Sequence, residues 1–337
     1  MTISLIVNKI VSLLGTLNNP SFFLYRVYHY LNKDVPYGVT KYIYKKNLKD
    51  YQKNNSNDFF IETYDGSGQA VHPDIAYMKN SYWMVLTPYP YGMEEYENPC
   101  IYHGSSLSKL QVPKAPIAVQ HKHIQGVHLS DPCFASKGDL LYCYYRESER
   151  IGDRESQKIW EMKYRPEDNS WSETQLLMHS DVDKILSPAM LFNDGGELKV
   201  FYVSTENDKF SLVCETIDEE ERNCKMCTIN GMPDGYELWH LGIKKEIEID
   251  ENCQYPNILM GLFLMRSKQR RGMKLFEAKS EDWGLSWQIT SEIKSPSSIE
   301  GEVLFPYKSC YVPKGKGQVL LSFRDKKSRN RLIIVPR

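Results

Sequence analysis

Short apolar runs separated by polar turn residues recur along the chain from Phe59 onward. Runs of this kind, bounded by Gly, Pro, Asn and Asp, are typical of β-strands in a sandwich, a barrel or a propeller. Five similar units stand out, each with a polar start, a short strand, a turn and a second apolar strand. The paired runs cover residues 72–77 with 82–87, 130–134 with 140–146, 187–191 with 198–203, 239–243 with 258–266, and 301–305 with 319–324.

Several units add a third strand that is followed by a turn and a tryptophan. Examples are residues 159–164 with Trp171 and residues 275–278 with Trp287. Strand-rich units that repeat at this period are typical of propeller blades. A polar insertion over residues 218–234 interrupts the third unit. We therefore expect an all-β fold, a five-bladed β-propeller over residues 56–337.

The first 55 residues follow a different pattern. Apolar residues between positions 3 and 17 fall at helical spacing, and further helices are predicted over residues 20–30 and 42–51. Eight basic residues face two acidic ones, which gives this N-terminal helical arm a local charge of +6. Two interpretations stay open: a basic amphipathic arm in peripheral contact with an anionic membrane, or a cap packed on the main domain.

Composition narrows the class of protein. The chain has 337 residues, 41% of them hydrophobic and 25% charged, which indicates a globular protein. Its 23 Tyr and 6 Trp suit strands and also provide the flat faces on which sugar rings stack. A net charge of −1 gives no reason to expect a nucleic-acid partner.

The apolar stretch at the N-terminus lacks the pattern of a secretory leader. No basic region precedes it, and Asn8 and Lys9 interrupt it. No run is long enough to span a bilayer. We expect a cytoplasmic protein, with the arm as its possible contact to the inner membrane.

Eight cysteines do not form an evident disulfide framework. Cys133, Cys143 and Cys214 lie inside apolar runs, where a free thiol acts as a small hydrophobic side chain. Cys224 and Cys227 form an isolated CxxC pair without a second pair at zinc-finger spacing. Two independent thiols are the favoured interpretation, with metal or redox use left open.

Residues 280–287, Ser-Glu-Asp-Trp-Gly-Leu-Ser-Trp, resemble the Asp-box found on the outer turns of sialidase-like propellers. In that motif Asp and Gly close a tight turn and the Trp packs between neighbouring sheets. Degenerate versions follow other blades at residues 103–110 and 165–171. The motif bears on fold and says little about chemistry.

Four further segments resemble the five-bladed glycosidase-like superfamily of arabinanases, fructan hydrolases and mannoside phosphorylases. They are His72-Pro-Asp, Thr87-Pro-Tyr-Pro, Glu97-Asn-Pro and Ser130-Asp-Pro. The resemblance covers the chain from Phe59 onward. It implies acidic residues at the start of the innermost strands, pointing into a central funnel.

Asp74 in blade one and Asp131 in blade two match those acidic positions, so both are candidate catalytic residues. The superfamily's general acid is usually a Glu in blade three. Here that blade opens on Ile-Leu-Ser187-Pro and has no acid at the matching place. Glu302 in blade five, taken as the third catalytic candidate, or Glu97 near the end of blade one could replace it.

Propeller geometry predicts which residues share the pocket. The start of the first strand and the end of the second strand of each blade meet at one mouth, which brings Arg146, Arg266 and Arg324 to equivalent ends. Converging guanidinium groups suit a carboxylate or phosphate on an anionic sugar. Alternatively, each Arg pairs with a local acid such as Glu147 or Asp325.

His72, His128 and His240 also lie near strand starts, but no metal-ligand spacing links them, so no metal ligands are assigned and a divalent ion in the funnel stays open. No phosphate-binding glycine loop and no nicotinamide fingerprint is present, and no cofactor is expected. The substrate-binding candidates are His72, Glu97, Arg146, His240, Arg266 and Arg324.

The sequence thus predicts a carbohydrate-active enzyme that cleaves or transfers a glycosidic linkage, as a hydrolase or a glycosyltransferase. An acidic or activated sugar, handled during bacterial surface polysaccharide synthesis, is the expected substrate. The alternative is a propeller that binds glycan without catalysis.

Overall fold

A computed structural model describes residues 19–31, 35–54, 58–110, 117–118, 126–151, 154–181, 185–205, 209–217, 222–253, 255, 257–269, 272–295, 303–315 and 317–337. The helix predicted before residue 18 lies outside these residues. The remainder of the arm forms helices α1 (Pro20–Tyr30) and α2 (Tyr37–Asn54), followed by strand β1 (Asp58–Phe59).

In the described residues, five sheets that are antiparallel except for one edge strand confirm the predicted five-bladed propeller. Blade one has β2 (Ala70–Met78), β3 (Ser81–Pro88), β4 (Cys100–Gly104) and β5 (Ile117–Ala118), with 3₁₀ turns at Pro90–Gly92 and Glu94–Tyr96 and helix α3 (Leu107–Leu110). Blade two has β6 (Val127–Lys137), β7 (Leu140–Ile151), β8 (Arg154–Arg165), β9 (Ser170–Trp171) and β10 (Gln175–Ser180). Blade three has β11 (Ile185–Phe192), β12 (Leu198–Ser204), β13 (Ser211–Ile217) and β14 (Arg222–Met226).

Blade four begins with the edge strand β15 (Thr228–Asn230), which runs parallel to the blade's last strand. Its other elements are β16 (Tyr236–Lys245), helix α4 (Glu246–Ile249), β17 (Leu259–Ser267), β18 (Met273–Ser280) and β19 (Ser286–Ile293). Blade five has β20 (Val303–Pro306), β21 (Cys310–Tyr311), β22 (Gln318–Asp325) and β23 (Asn330–Pro336).

The ring closes through strand β1, which comes from the N-terminal side of the propeller. Asp58 and Phe59 pair antiparallel with Ile333 and Leu332 of the last strand. Behind this pairing, Arg331 Nη2 donates to both carboxylate oxygens of Asp58 at 2.8 and 2.7 Å, and both side chains are buried. The first and last parts of the chain therefore share blade five.

Helices α1 and α2 pack on the propeller, in the manner of the cap interpretation. Tyr25, fully buried, lies 5.0 Å from the ring of Tyr91 in the loop after β3. Ile43 and Val35 belong to the same apolar cluster. Among the described residues, no helix is both long and apolar enough to cross a membrane.

The turn at residues 280–287 has the contacts that its sequence predicts. Asp282 accepts hydrogen bonds from the Ser286 backbone N–H at 2.9 Å and from its hydroxyl at 2.6 Å. Trp287 is 1% exposed and packs against Phe201 of blade three, and its indole N–H donates to the Gly284 carbonyl. The relation of this turn to the sialidase motif stays a resemblance in sequence.

Breaking the ring-closing ion pair should destabilise the whole propeller. Asp58→Ala should lower the free energy of unfolding by about 3 kcal/mol in denaturant titrations, because it leaves a buried guanidinium without its main partner. The exposed pair of Arg165 and Asp168 provides the control, since Asp168→Ala should cost far less than Asp58→Ala. Equal losses in the two variants would contradict a closing role for Asp58.

Candidate active site

A pocket of about 750 Å³ opens where the innermost strands begin and the second strands end. All five blades contribute to its wall, as the repeat predicted. Its aromatic side chains come from several blades, and its ionisable side chains include three histidines, three arginines and three glutamates. The aromatic members are Tyr89, Phe210, Trp239, Phe305 and Tyr307.

The innermost strands of the first three blades share an unusual backbone feature. His72, Asp131 and Ser187 have positive φ values of 53°, 51° and 49°, and each precedes a proline. At each site the pairing register with the next strand shifts, as at a β-bulge. The bulges turn these three side chains away from the ladder, and all three are buried.

This register corrects one expectation. Asp74 and Asp131 were predicted to occupy equivalent positions, but the residue equivalent to Asp131 in blade one is His72. Asp74 lies two residues further along β2, opposite Val85. The equivalent of Asp74 in blade two is Cys133, opposite Tyr144.

Asp74 does not line the pocket. Its carboxylate accepts a hydrogen bond from Lys244 Nζ at 2.9 Å and from the Phe134 backbone N–H at 2.6 Å. Both charged side chains are 8% exposed, so the pair forms part of the propeller's interior. Asp74 thus forms a buried ion pair with Lys244 of blade four.

Asp131 is completely buried beneath the pocket and is held by Arg146. Arg146 Nε and Nη2 lie 3.1 and 3.0 Å from Asp131 Oδ2, and Nη1 donates to Gln157. Burial opposes ionisation, but His72 and Arg146 hold the pKa of Asp131 well below its ordinary value. The carboxylate is therefore ionised across the neutral range.

The other oxygen of Asp131 faces two histidines of the pocket wall. His72 Nδ1 lies 3.5 Å and His240 Nδ1 lies 3.4 Å from Asp131 Oδ1, and the two rings are 5.0 Å apart. None of these three atoms has a hydrogen bond. Burial lowers the pKa of His72 to about 3, so its imidazole is neutral at pH 7. Two imidazoles and a carboxylate form a donor set that suits a metal ion.

The three arginines do not form the predicted cluster. Arg146 is bound to Asp131, and Arg266 donates to Glu237 at 2.5 Å while lying over the rings of Phe210 and Trp239. Arg324 does not line the pocket; its Nη2 donates to the Tyr91 carbonyl. The alternative of an acidic partner fits Arg146 and Arg266, which pair with Asp131 and Glu237. It does not fit Arg324, which donates to a carbonyl and not to the predicted Asp325.

Glu97 lies in the pocket wall, as predicted. Burial, together with the negative charge of Asp131, raises the pKa of Glu97 well above its ordinary value. It therefore remains protonated at a pH where an exposed glutamate is ionised. Glu302, the other candidate for a general acid, lies outside the described residues.

Two buried lysines on the propeller axis escaped the sequence analysis. Lys308 Nζ lies 3.1 Å from the Pro188 carbonyl and 3.4 Å from the carbonyls of Asp131 and Pro132. Lys244 pairs with Asp74. The available signal was a lysine inside an otherwise apolar innermost strand, as in Leu-Gly-Ile-Lys244.

Several solved structures resemble this propeller. A GH43 enzyme from Xanthomonas citri, in complex with xylotriose, has a TM-score of 0.55 at 10% identity, covering 86% of this chain and 93% of its own. A GH43 endo-arabinanase from Bacillus licheniformis has a TM-score of 0.54 at 11% identity, over 84% and 95% of the two chains. A mutant α-L-arabinanase from Cellvibrio cellulosa gives 0.53 at 12% identity, over 80% and 91%.

The fold of this chain is a five-bladed propeller like that of these solved structures. At these identities the likeness concerns the path of the backbone. No protein-family model matches the sequence, and no curated protein matches it either. The chemistry of this propeller must therefore be argued from its own pocket.

A substitution at Asp74 should lower the stability of the protein without changing sugar binding. Lys244 Nζ and the Phe134 N–H donate to one carboxylate oxygen of Asp74, and the Ile75 N–H donates to the other. In Asp74→Asn the charge that pairs with Lys244 is lost and the amide nitrogen faces a donor in either orientation, so we expect a loss of about 3 kcal/mol in the free energy of unfolding. The affinity of any sugar for the pocket should remain unchanged, as measured by calorimetry. A stable Asp74→Asn protein that no longer binds the sugar would instead show that Asp74 belongs to the binding site.

Proposed function

We propose that this glycosidase-like propeller cleaves or transfers a glycosidic bond in its central pocket. The observation that supports the proposal is a pair of carboxyl groups of opposite character at one site. Glu97 is held protonated in the pocket wall, while Asp131 is held ionised beneath it. Environments that separate two carboxyl pKa values in this way suit general acid–base chemistry.

Glu97 would act as the general acid, donating its proton to the oxygen of the departing group. Asp131 is fully buried and does not touch a substrate, so it acts as a positioning residue for the rings of His72 and His240. The imidazole of His72, which lines the pocket, would bind and orient the attacking water or sugar hydroxyl. Aromatic faces such as those of Tyr307 and Trp239 would stack on the sugar ring.

An acidic substituent remains our preferred feature of the substrate, recognised by a different cation from those first predicted. Arg146 and Arg266 are engaged within the protein. Arg150 is exposed and lines the same pocket, at the end of β7. It is the arginine that a carboxylate or phosphate of the sugar would meet.

Glu97→Gln should separate chemistry from binding. With sugar leaving groups we expect the turnover number to fall by about 10²–10⁴-fold. Aryl glycosides with acidic phenols need no proton donor and should be processed nearly as by the unchanged protein. The panel should include neutral and uronate glycosides, and Arg150→Ala should weaken only the binding of the acidic ones.

The pH profile gives an independent signature of the same acid. The protonated form of Glu97 is active, so activity should be present below the raised pKa of Glu97 and be lost as the pH rises through it. Glu94→Gln is the matched control, because Glu94 lines the same pocket but is exposed. Unchanged activity of Glu97→Gln with sugar leaving groups would overturn the assignment.

A glycan-binding propeller without catalysis is the second candidate, and the enclosure of Asp131 favours it. In that case no glycoside of the panel is turned over by the unchanged protein. Sugar binding, followed by the rise in melting temperature, should then be weakened by Trp239→Ala and be indifferent to Glu97→Gln.

The arm gives reason to propose peripheral membrane contact as well. Helix α2 buries Ile43, Tyr44 and Asn47 but exposes Lys45, Lys46 and Lys49. These lysines would meet anionic headgroups, in keeping with work on a lipid-linked or activated sugar at a cytoplasmic membrane face.

Vesicle sedimentation tests this contact. Phosphatidylserine vesicles should retain the protein at low salt and release it as salt rises, and reversing the charge of the three lysines with glutamate should abolish retention. Equal retention on purely zwitterionic vesicles, or no effect of the triple change, would contradict the proposal.

A further inference from the structure

Three polar atoms that lack hydrogen bonds converge at the base of the pocket. They are Nδ1 of His72, Nδ1 of His240 and Oδ1 of Asp131. All three residues are more than nine-tenths buried, with exposed fractions of 6%, 8% and 0%. Buried polar atoms nearly always have partners, so three unpartnered atoms at one point indicate that something else satisfies them.

Their spacing differs from that of a hydrogen-bonded triad. The two Nδ1–Oδ1 distances are 3.5 and 3.4 Å, longer than a hydrogen bond between nitrogen and oxygen. All three atoms lie within 4.8 Å of one another. Ligands placed about 2.0–2.1 Å from a tetrahedral metal ion are separated by about 3.3 Å. The observed separations are therefore close to those of metal ligands.

The backbone fixes two of the three ligands before any ion arrives. His72 and Asp131 occupy the left-handed bulges of adjacent blades, and His240 comes from a bulge in β16 of blade four. Arg146 binds Oδ2 of Asp131 from the side and leaves Oδ1 directed at the histidines. Such an outer partner orients a carboxylate ligand.

We propose that His72, Asp131 and His240 form a binding site for a single divalent transition-metal ion. Two imidazole nitrogens and one carboxylate oxygen suit Zn²⁺, Co²⁺, Ni²⁺ or Fe²⁺, whereas Ca²⁺ and Mg²⁺ prefer oxygen ligands throughout. The two histidines line the pocket, so the remaining coordination positions face the space where a substrate would lie. The sequence analysis could not name these ligands, because ligands from three separate blades leave no spacing motif.

The charges around the site moderate its affinity. Arg146 and Lys308 lie beside Asp131 and oppose a cation, while the carboxylates of Glu94 and Glu155 in the pocket wall favour it. We expect one ion per chain.

Cobalt binding to the metal-free, full-length protein tests the proposal directly. Chelator-treated protein titrated with Co²⁺ should develop visible d–d absorption that saturates at one equivalent, and calorimetry with Zn²⁺ should give the same stoichiometry. Ca²⁺ should neither compete nor bind at the same site.

Ligand variants should remove this binding. His72→Asn and Asp131→Asn retain a residue that tolerates positive φ, and His240→Ala removes the third ligand. Each should weaken the metal by more than about a hundredfold, beyond the 10–100-fold effect typical of outer partners. Thermal melting without metal establishes that each variant is folded.

Two matched controls exclude other sites. His128→Ala removes a histidine of the same pocket that bonds the Glu94 carbonyl, and Cys224→Ser removes the exposed thiol. Both should bind Co²⁺ like the unchanged protein. Metal binding that survives His240→Ala, or that is lost in Cys224→Ser, would overturn the site, as would absence of binding to the unchanged protein.

The outcome is independent of the proposed glycosidic activity. Glu97→Gln should bind the metal normally even if it has lost turnover. If the folded protein binds Co²⁺ through these residues but cleaves no glycoside, the metal site stands and the proposed glycosidic activity is wrong. If it turns over a glycoside but binds no metal, the glycosidic activity stands and the metal site is wrong.

Discussion

The buried charges along the propeller axis are the constraint on which the rest of the structure depends. Five sheets that meet edge-on leave a channel at the centre, and this protein fills it with ions rather than with apolar side chains. Lys244 pairs with Asp74, and Lys308 contacts carbonyls of blades two and three. An unpaired buried charge costs several kcal/mol. These contacts across the axis therefore fix the positions of the blades relative to one another.

The positions of these two lysines also determine where the pocket lies. The lysines close the channel below Asp131, while the strand starts above it spread apart and leave about 750 Å³ open. The proline-linked bulges then turn His72 and Asp131 out of their ladders. Side chains of a regular strand alternate between the two faces of its sheet. Without the bulges, His72 and Asp131 on their separate strands would not point to the same place.

The repeat, the strand pairs and the shared mouth of the pocket were accessible from the sequence, because alternating apolar runs and turn residues act locally. The backbone at His72 and Asp131 was not. A residue before proline usually adopts an extended conformation, so its left-handed geometry reflects tertiary contacts. The same holds for Arg266 and Arg324, whose partners are aromatic rings and a carbonyl from other parts of the chain. Glu97 was found because it follows a recognisable segment, but its raised pKa depends on burial that only the folded chain provides.

The arm belongs to the site more closely than its composition implied. The Val35 backbone N–H donates to the hydroxyl of Tyr96, the residue before Glu97, and Tyr64 donates to the Tyr96 carbonyl. Tyr91 of the same loop packs against Tyr25 of α1 and also accepts from Arg324 of blade five. The loop that carries Glu97 is thus held between the arm, blade one and the closing blade. A change in how α1 and α2 pack would reach the pocket through this loop, and so membrane contact and pocket chemistry would be physically coupled.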